Sequence, residues 1–134
     1  MALSHALACA AQRLVGTPFR LQGRDPATGL DCMGLVIASL LSVGVELELP
    51  ADYRPRRRSF TIPTSSLHTA GLIRCTGMRA TGDILLVRSG PAQVHLAIAT
   101  YHDRIVHAHA GLGRVVSSTF PAEWAMMHAW RLAP

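Results

Sequence analysis

The sequence predicts an α+β domain in which N-terminal helices pack on a C-terminal antiparallel β-sheet. Apolar residues recur at helical spacing in the N-terminal part of the chain. Short runs rich in β-branched residues, separated by turn residues, fill the C-terminal part. Helices followed by consecutive strands are typical of this class. A chain of 134 residues fits one domain, so we assign residues 1–134 to a single unit.

Two helices are predicted ahead of the sheet. Residues 2–15 form the first, because leucines recur on one face, and the Gly-Thr-Pro at 16–18 ends it. The segment CMGLVIASLLSVG predicts the second helix. Asp31 is placed to cap this helix and Gly44 to stop it.

Residues 45–80 show little periodicity and predict a long connection with a short helix near 64–73. Within it, the stretch YRPRRRSF carries a basic cluster: Arg54, Arg56, Arg57 and Arg58. This is the only cluster among the 13 arginines of a chain with net charge +5, and its prolines indicate a loop. A solvated loop, a cover over a cleft, a contact with a tail and a contact with an anionic surface all remain open. No nucleic-acid partner is predicted.

Five strands are predicted after this connection. Four short runs indicate an antiparallel meander: DILLVR at 83–88, VHLAIATY at 94–101, RIVHAHA at 104–110 and RVVSS at 114–118. A last run, HAWRLA at 128–133, is predicted to return to the sheet.

The N-terminus and the cysteines bear on the cellular compartment. The segment MALSHALACAAQRLVG lacks a basic start and a long enough apolar stretch, so no export signal is predicted. No run is long enough to cross a membrane. Three cysteines form an odd count without a close pair, which argues against a disulfide framework. We therefore expect synthesis in the cytoplasm.

Cys32 is the candidate nucleophile. It stands at the start of the second helix, where free backbone N–H groups favour the thiolate form. The same groups are placed to stabilise an oxyanion during acyl transfer. Cys9 lies in an apolar helix and Cys75 in an irregular segment, so both are expected to be structural.

A thiolate nucleophile needs a base, and the base needs a group that orients it. His95 lies in a predicted half-buried strand, where an imidazole requires a partner. His107 comes 12 residues later on the next strand, so a hairpin brings the two close. The pair fits catalysis with Cys32. It also fits a metal half-site completed by Cys32 or His109, or a purely structural cross-strand contact.

Four motifs, in the same order along the chain, resemble the NlpC family of papain-like cysteine peptidases. LVGTPFRLQGRDPATGLDCMGLV is similar to the family's Gly-Thr-Pro-Tyr-Arg…Asp-Cys-Ser-Gly-Leu-Val signature. TGDILLVR resembles its Gly-Asp strand, and VHLAIATYHDRIVHA resembles its His-Val-Gly-Ile…Ile-His-Ala segment. The ending GLGRVVSSTFPAEWAMMHAWRL is similar to that of a narrower branch found in phage tails and gene transfer agents.

The resemblance implies a papain-like NlpC-type fold and the hydrolysis of peptidoglycan stem peptides, commonly between D-glutamate and a diamino acid. Carried over residue by residue, Cys32 attacks the carbonyl and forms a thioester, His95 serves as base and then as acid, and His107 orients His95. No cofactor and no metal are implied. The phage branch implies a place in a virion tail, with tail proteins as partners.

Two positions depart from the family pattern. Phe19 replaces the usual tyrosine and removes a hydroxyl, and Met33 replaces a serine that helps the preceding aspartate grip a free substrate amine. Asp31 is retained, either to bind an amine or to cap its helix. We expect Phe19, Asp31 and Met33 to bind substrate, with Met33 favouring a cross-linked or glycan-attached stem. An inactive structural or wall-binding tail component and a thiol-dependent amidase or acyltransferase are the alternatives.

Overall fold

The computed structural model describes residues 2–47, 64–91 and 93–133. The arginine cluster of YRPRRRSF lies outside the described residues. Within them the chain forms these elements: α1 (Ala2–Arg13), β1 (Arg24–Asp25), β2 (Gly29–Leu30), α2 (Cys32–Ser42), α3 (Thr64–Thr69), β3 (Leu72–Cys75), β4 (Ile84–Gly90), β5 (Gln93–Ala99), β6 (Arg104–His109), β7 (Arg114–Thr119) and β8 (Ala125–Leu132).

The helix α2 begins at Cys32 because Asp31 caps it. Asp31 has an extended backbone, with φ −101° and ψ −168°, and its Oδ1 accepts a hydrogen bond from the Gly34 N–H at 2.9 Å. After the helix, Gly44 takes a φ of +84°, in the left-handed region that glycine adopts without strain. The predicted cap and stop are both confirmed.

The helices α1 and α3 are shorter than predicted. The helix α1 ends at Arg13, and the chain then turns through a Thr17 N–H that donates to the Leu14 carbonyl. The helix α3 ends at Thr69, because Gly71 has a φ of +92° and the chain continues as a strand. No helix in the described ranges combines the length and apolar character needed to cross a membrane.

Six strands form one antiparallel sheet in the order β3-β8-β4-β5-β6-β7. The predicted meander from β4 to β7 is confirmed. The last strand does not extend that meander, because β8 inserts between β3 and β4, pairing Leu132 with Leu72 and Trp130 with Ile84. The strand β3 lies where an irregular connection was predicted. Its partner comes from the far end of the chain, which no local pattern reveals.

The sheet is covered on both faces at its centre. The helices α1 and α2 pack on one face, in a core that includes Leu7, Leu35, Leu96 and Ile98. A smaller apolar cluster occupies the other face, where Phe120 and Trp124 pack against five side chains: Leu85, Val87, Ala97, Ala99 and Ile105. The predicted α+β class is confirmed, and α2 meets the sheet at β5 and β6.

Candidate active site

Cys32 lies where the start of α2 meets the sheet. Its side chain is 6% exposed and belongs to the core. The sulfur accepts hydrogen bonds from the backbone N–H groups of Met33, in the same helix, and of Leu96, in β5. The contact with Leu96 places the sulfur beside the strand that carries His95.

Burial sets the protonation state of this thiol. Desolvation raises the pKa of Cys32 to about 12, and the neighbouring Asp31 carboxylate adds to the rise, while the two backbone N–H groups oppose it. The sequence predicted a thiolate favoured by the helix N-terminus, and in the folded chain burial outweighs that effect. Cys32 is therefore a neutral thiol at pH 7 and must lose its proton as it attacks.

His95 and His107 meet across β5 and β6, as predicted. Nε2 of His95 lies 3.0 Å from Nδ1 of His107, with ring centroids 5.1 Å apart and ring planes at 86°. The ladder between the two strands includes the pair Ile98 and Val106. His107 follows Val106, and His95 precedes Ile98 by three residues, so both imidazoles lie just beyond the paired part of the two strands.

The bond between the imidazoles restricts the proton positions that allow catalysis. For Nδ1 of His95 to accept a proton from the thiol, Nε2 of His95 must carry a hydrogen. That hydrogen is donated to Nδ1 of His107, which then carries its own hydrogen on Nε2. His107 can therefore hold the His95 ring in the tautomer that a general base requires.

Both imidazoles are neutral at pH 7. Burial lowers the pKa of His95 to about 3, with smaller contributions from His107 and His109. Burial also lowers the pKa of His107 to about 4, again with a contribution from His109. A neutral imidazole is the form that accepts a proton, but the low pKa values also make both rings weak bases until a negative charge develops beside them.

Cys32, His95 and His107 line one cavity of about 250 Å³. Phe19 and Trp124 also line it. A thiol, an imidazole with Nδ1 not engaged by His107, and an orienting imidazole thus face one small space. This is the set of groups that acyl transfer through a thioester requires.

Asp31 is fully engaged by the protein at the edge of this cavity. It is 1% exposed; Oδ1 accepts from Gly34 and from Nη1 of Arg24 at 3.1 Å, and Oδ2 accepts from the Gln22 N–H at 2.7 Å. Burial raises the pKa of Asp31, although these donors oppose the rise. Arg24 therefore already provides the cation that a substrate amine would otherwise supply.

The other two predicted substrate contacts differ in position. Phe19 is half-buried on the cavity wall, and its N–H donates to the Gly113 carbonyl at 2.8 Å. Met33 is 2% exposed and belongs to the core under α2. The position of Met33 gives no support to direct contact with substrate, so its influence on substrate choice stays a prediction.

Two residues beside the histidines were not singled out as part of the catalytic arrangement from the sequence. The indole of Trp124, in the loop between β7 and β8, packs edge-on against the rings of His95 and His107. His109 lies with its ring centroid 5.7 Å from that of His107, and its Nδ1 accepts the Leu112 N–H at 3.0 Å. The HAH alternation at 107–109 indicates that both histidines share a face, whereas no local signal ties Trp124 to β5.

The other two cysteines have different surroundings. Cys75 lines a separate groove of about 730 Å³, and its sulfur lies 3.9 Å from Oδ2 of Asp83. Burial, followed by the charge of Asp83, raises the pKa of the Cys75 thiol. Cys9 is exposed, with its sulfur 3.9 Å from the Tyr101 hydroxyl. Cys32 is the cysteine that shares a cavity with the histidine pair.

The geometry gives no support to the metal half-site considered from the sequence. Among the residues that the structure describes, no three or more His, Cys, Asp or Glu side chains are grouped so as to hold a metal ion. The bond between His95 and His107 instead joins one nitrogen of each ring directly to the other.

Comparison with known families identifies the family of this chain. The sequence profile of the NlpC/P60 family matches residues 16–131. The chain belongs to the NlpC/P60 family. The match spans the candidate nucleophile and both histidines. No curated protein matches the chain significantly.

Solved NlpC/P60 structures share the fold. The NlpC/P60 domain of the peptidoglycan hydrolase SagA superposes with a TM-score of 0.67 at 26% identity, covering 96% of this chain and 98% of that one. The peptidoglycan hydrolase RipB of Mycobacterium tuberculosis superposes with a TM-score of 0.66 at 21% identity, covering 99% of this chain and 66% of that one. RipD of the same organism is a non-catalytic NlpC/P60 domain protein adapted to peptidoglycan binding. It superposes with a TM-score of 0.59 at 15% identity, covering 96% of this chain and 95% of that one. The papain-like NlpC-type fold is confirmed.

Proposed function

We propose that this NlpC/P60 protein is a peptidoglycan stem-peptide hydrolase that works through Cys32, His95 and His107. The observation that carries the proposal is the convergence of these three side chains on one cavity, with the two imidazoles 3.0 Å apart. The NlpC/P60 domain of the peptidoglycan hydrolase SagA is similar over nearly its full length, which supports the choice of substrate.

In the first half of the reaction, the sulfur of Cys32 attacks the carbonyl carbon of the scissile peptide bond, and its proton moves to Nδ1 of His95. The backbone N–H of Cys32, at the first turn of α2, is placed to stabilise the oxyanion. The cationic His95 then gives the proton to the leaving amine nitrogen as the C–N bond breaks. A thioester between Cys32 and the acyl half of the stem peptide remains.

In the second half, neutral His95 takes a proton from a water molecule while the oxygen of that water attacks the thioester carbon. The C–S bond breaks, and the sulfur recovers a proton from His95. His107 accepts the hydrogen of His95 Nε2 throughout. A negative charge forming on the oxyanion raises the proton affinity of His95 when the reaction needs it, because an adjacent opposite charge favours the imidazolium.

The engagement of Asp31 bears on the form of the stem peptide. Its carboxylate is buried and bound to Arg24, so capture of a free substrate amine is not needed to neutralise it. A stem that is cross-linked or still attached to glycan fits this cleft better than a free muropeptide with an exposed amine.

The phage-like setting is a further part of the proposal. The resemblance of the C-terminal motif GLGRVVSSTFPAEWAMMHAWRL to the branch of phage tails and gene transfer agents supports a position for the enzyme in a virion tail, among tail proteins. Mass spectrometry of purified particles from a producing strain should detect the chain together with tail proteins. Its presence only in the particle-free fraction would contradict this setting.

A wall-binding role without catalysis is the second candidate. The raised pKa of Cys32 favours it, because the resting thiol is not ionised. The described non-catalytic character of RipD supplies a precedent within the same fold. A thiol-dependent amidase or acyltransferase would use the same three residues and differ in the acceptor of the acyl group.

Replacing the nucleophile tests the peptidase function. We expect Cys32→Ala to abolish the release of new peptide termini from purified peptidoglycan, measured by mass spectrometry, while peptidoglycan binding persists. The exposed Cys9 supplies the matched control, and Cys9→Ala should cut at the wild-type rate.

Three outcomes separate the candidates. Equal cleavage by Cys32→Ala contradicts the mechanism. Binding without cleavage by the wild type supports the wall-binding role instead. Transfer of the acyl group to an added amine in preference to water identifies an acyltransferase.

A further inference from the structure

We propose that Trp124 is a positioning residue that fixes the His95–His107 pair and keeps water from it. The inference rests on the peptidase function proposed above. The ring centroid of the indole lies 5.6 Å from that of His95, with the ring planes at 84°. It lies 5.1 Å from the ring centroid of His107, with the planes at 78°. Edge-to-face contacts of this kind stabilise a defined ring orientation. One side chain from the loop between β7 and β8 therefore braces both imidazoles.

The loop that carries Trp124 is itself anchored. The Phe120 ring lies 6.0 Å from the indole, and the Arg79 guanidinium lies 4.0 Å above the Phe120 ring. Arg79 pairs with the Asp103 carboxylate, and the Phe120 N–H donates to the Asp103 carbonyl at 3.0 Å. Trp124 is thus also held by contacts that do not involve the histidines.

Trp124 also stands between two cavities. Together with His107 and His109, it lines both the catalytic cavity and a neighbouring groove of about 640 Å³. Arg114 and Glu123 line the groove as well, so it presents charged side chains beside its apolar surface. Removing the indole would join the small catalytic cavity to this larger groove, so that more water could reach the two imidazoles.

Loss of the indole between the two cavities would change the protonation of His95 and His107. Burial is the main reason why the pKa values of His95 and His107 are low, so hydration should raise both. A cationic His95 cannot accept the proton of Cys32. The other ionisable groups that line the two spaces would set the size of the change: Asp31, Cys32, His109, Arg114 and Glu123.

Nuclear magnetic resonance of the imidazole side chains tests this role directly. In Trp124→Ala we expect the pKa values of His95 and His107 to rise by at least about one unit towards the ordinary value of about 6.5. Trp124→Phe keeps an aromatic edge and should stay near the wild type. Trp130→Phe is the matched control, because Trp130 is the other tryptophan of the chain, is 5% exposed, and has no ring contact with the pair.

Kinetics provide the second readout. The acid limb of kcat/KM against pH should move to higher pH in Trp124→Ala, and in parallel with the histidine titration. If Trp124→Ala does not fold, Trp124→Leu replaces it. Leucine is smaller than phenylalanine and has no ring edge to contact the imidazoles, so it should still raise both pKa values relative to Trp124→Phe.

Unchanged histidine pKa values in a folded Trp124→Ala or Trp124→Leu protein overturn the inference. The titration needs no substrate, so it judges Trp124 even if peptidoglycan is not cut. Failure of this inference and failure of the peptidase proposal are therefore distinguishable.

Discussion

At the scale of single residues, His107 is placed to orient His95 and not to transfer protons itself. A glutamine at 107 still offers an amide oxygen to the His95 Nε2–H, whereas alanine offers nothing. We expect His107→Ala to lower kcat/KM by about 100-fold or more. We expect His107→Gln to lower it much less, so that most of the wild-type rate remains. Initial rates on purified peptidoglycan, with thermal unfolding measured for both variants, check this.

His109 is the control for that prediction. It lies on the same strand beside His107, and its Nδ1 is occupied by the Leu112 N–H. A His109→Ala variant that loses all activity, together with an unaffected His107→Gln, would show that the orienting histidine is His109.

At the scale of elements, the position of α2 depends on a close approach between the helix and the loop before it. A methyl group at Gly34 would overlap the carbonyl oxygen of Gly23. Glycine to alanine in a helix normally stabilises by about 1 kcal/mol. Here we expect the reverse, because Gly34→Ala must push the start of α2, and with it Cys32, away from the loop.

Thermal unfolding measures this effect, and the rate of peptidoglycan cleavage should fall with it. Ser42→Ala, at the exposed end of the same helix, is the matched control and should leave both unchanged. A Gly34→Ala protein at least as stable as the wild type would show that the helix can shift without cost.

At the scale of the whole molecule, two buried neutral histidines make the fold sensitive to acid. Their pKa values are about 3 and about 4 in the folded chain, below the ordinary 6.5, so between these limits the unfolded chain binds more protons. This contribution to stability is complete above pH 6.5 and is lost as pH falls, by up to about 1.4 kcal/mol per pH unit for each histidine. Asp31, with a raised pKa, acts in the opposite sense at lower pH.

Chemical unfolding measured between about pH 5 and 6.5 tests the histidines, because in this range the histidines of the unfolded chain take up protons while its carboxylates stay largely ionised. The slope of the free energy of unfolding against pH should decrease in His107→Gln and stay unchanged in His68→Gln, because His68 is exposed on α3. A slope that is the same in all three proteins would show that His107 does not resist protonation in the folded chain.

The sequence predicts the parts of this molecule that depend on neighbouring residues. Asp31 as a cap follows from its place before an apolar run, and the contact of His95 with His107 follows from a hairpin. The strand order cannot be predicted in the same way, because β3 and β8 pair although four strands, β4 to β7, lie between them in the sequence. Trp124 reaches the histidines only through tertiary packing, and the protonation state of Cys32 depends on burial that a helix terminus alone does not reveal.

The insertion of β8 between β3 and β4 has a consequence for how the chain folds. Until residues 125–132 are available, β3 has no partner and β4 presents an open edge, which is prone to pair with other chains. The sheet can close only after synthesis has passed β8, so folding must wait for the ribosome to release this segment. Fragments that stop before residue 125 should aggregate, and chaperones should matter more for this protein than for a domain whose central strands come first.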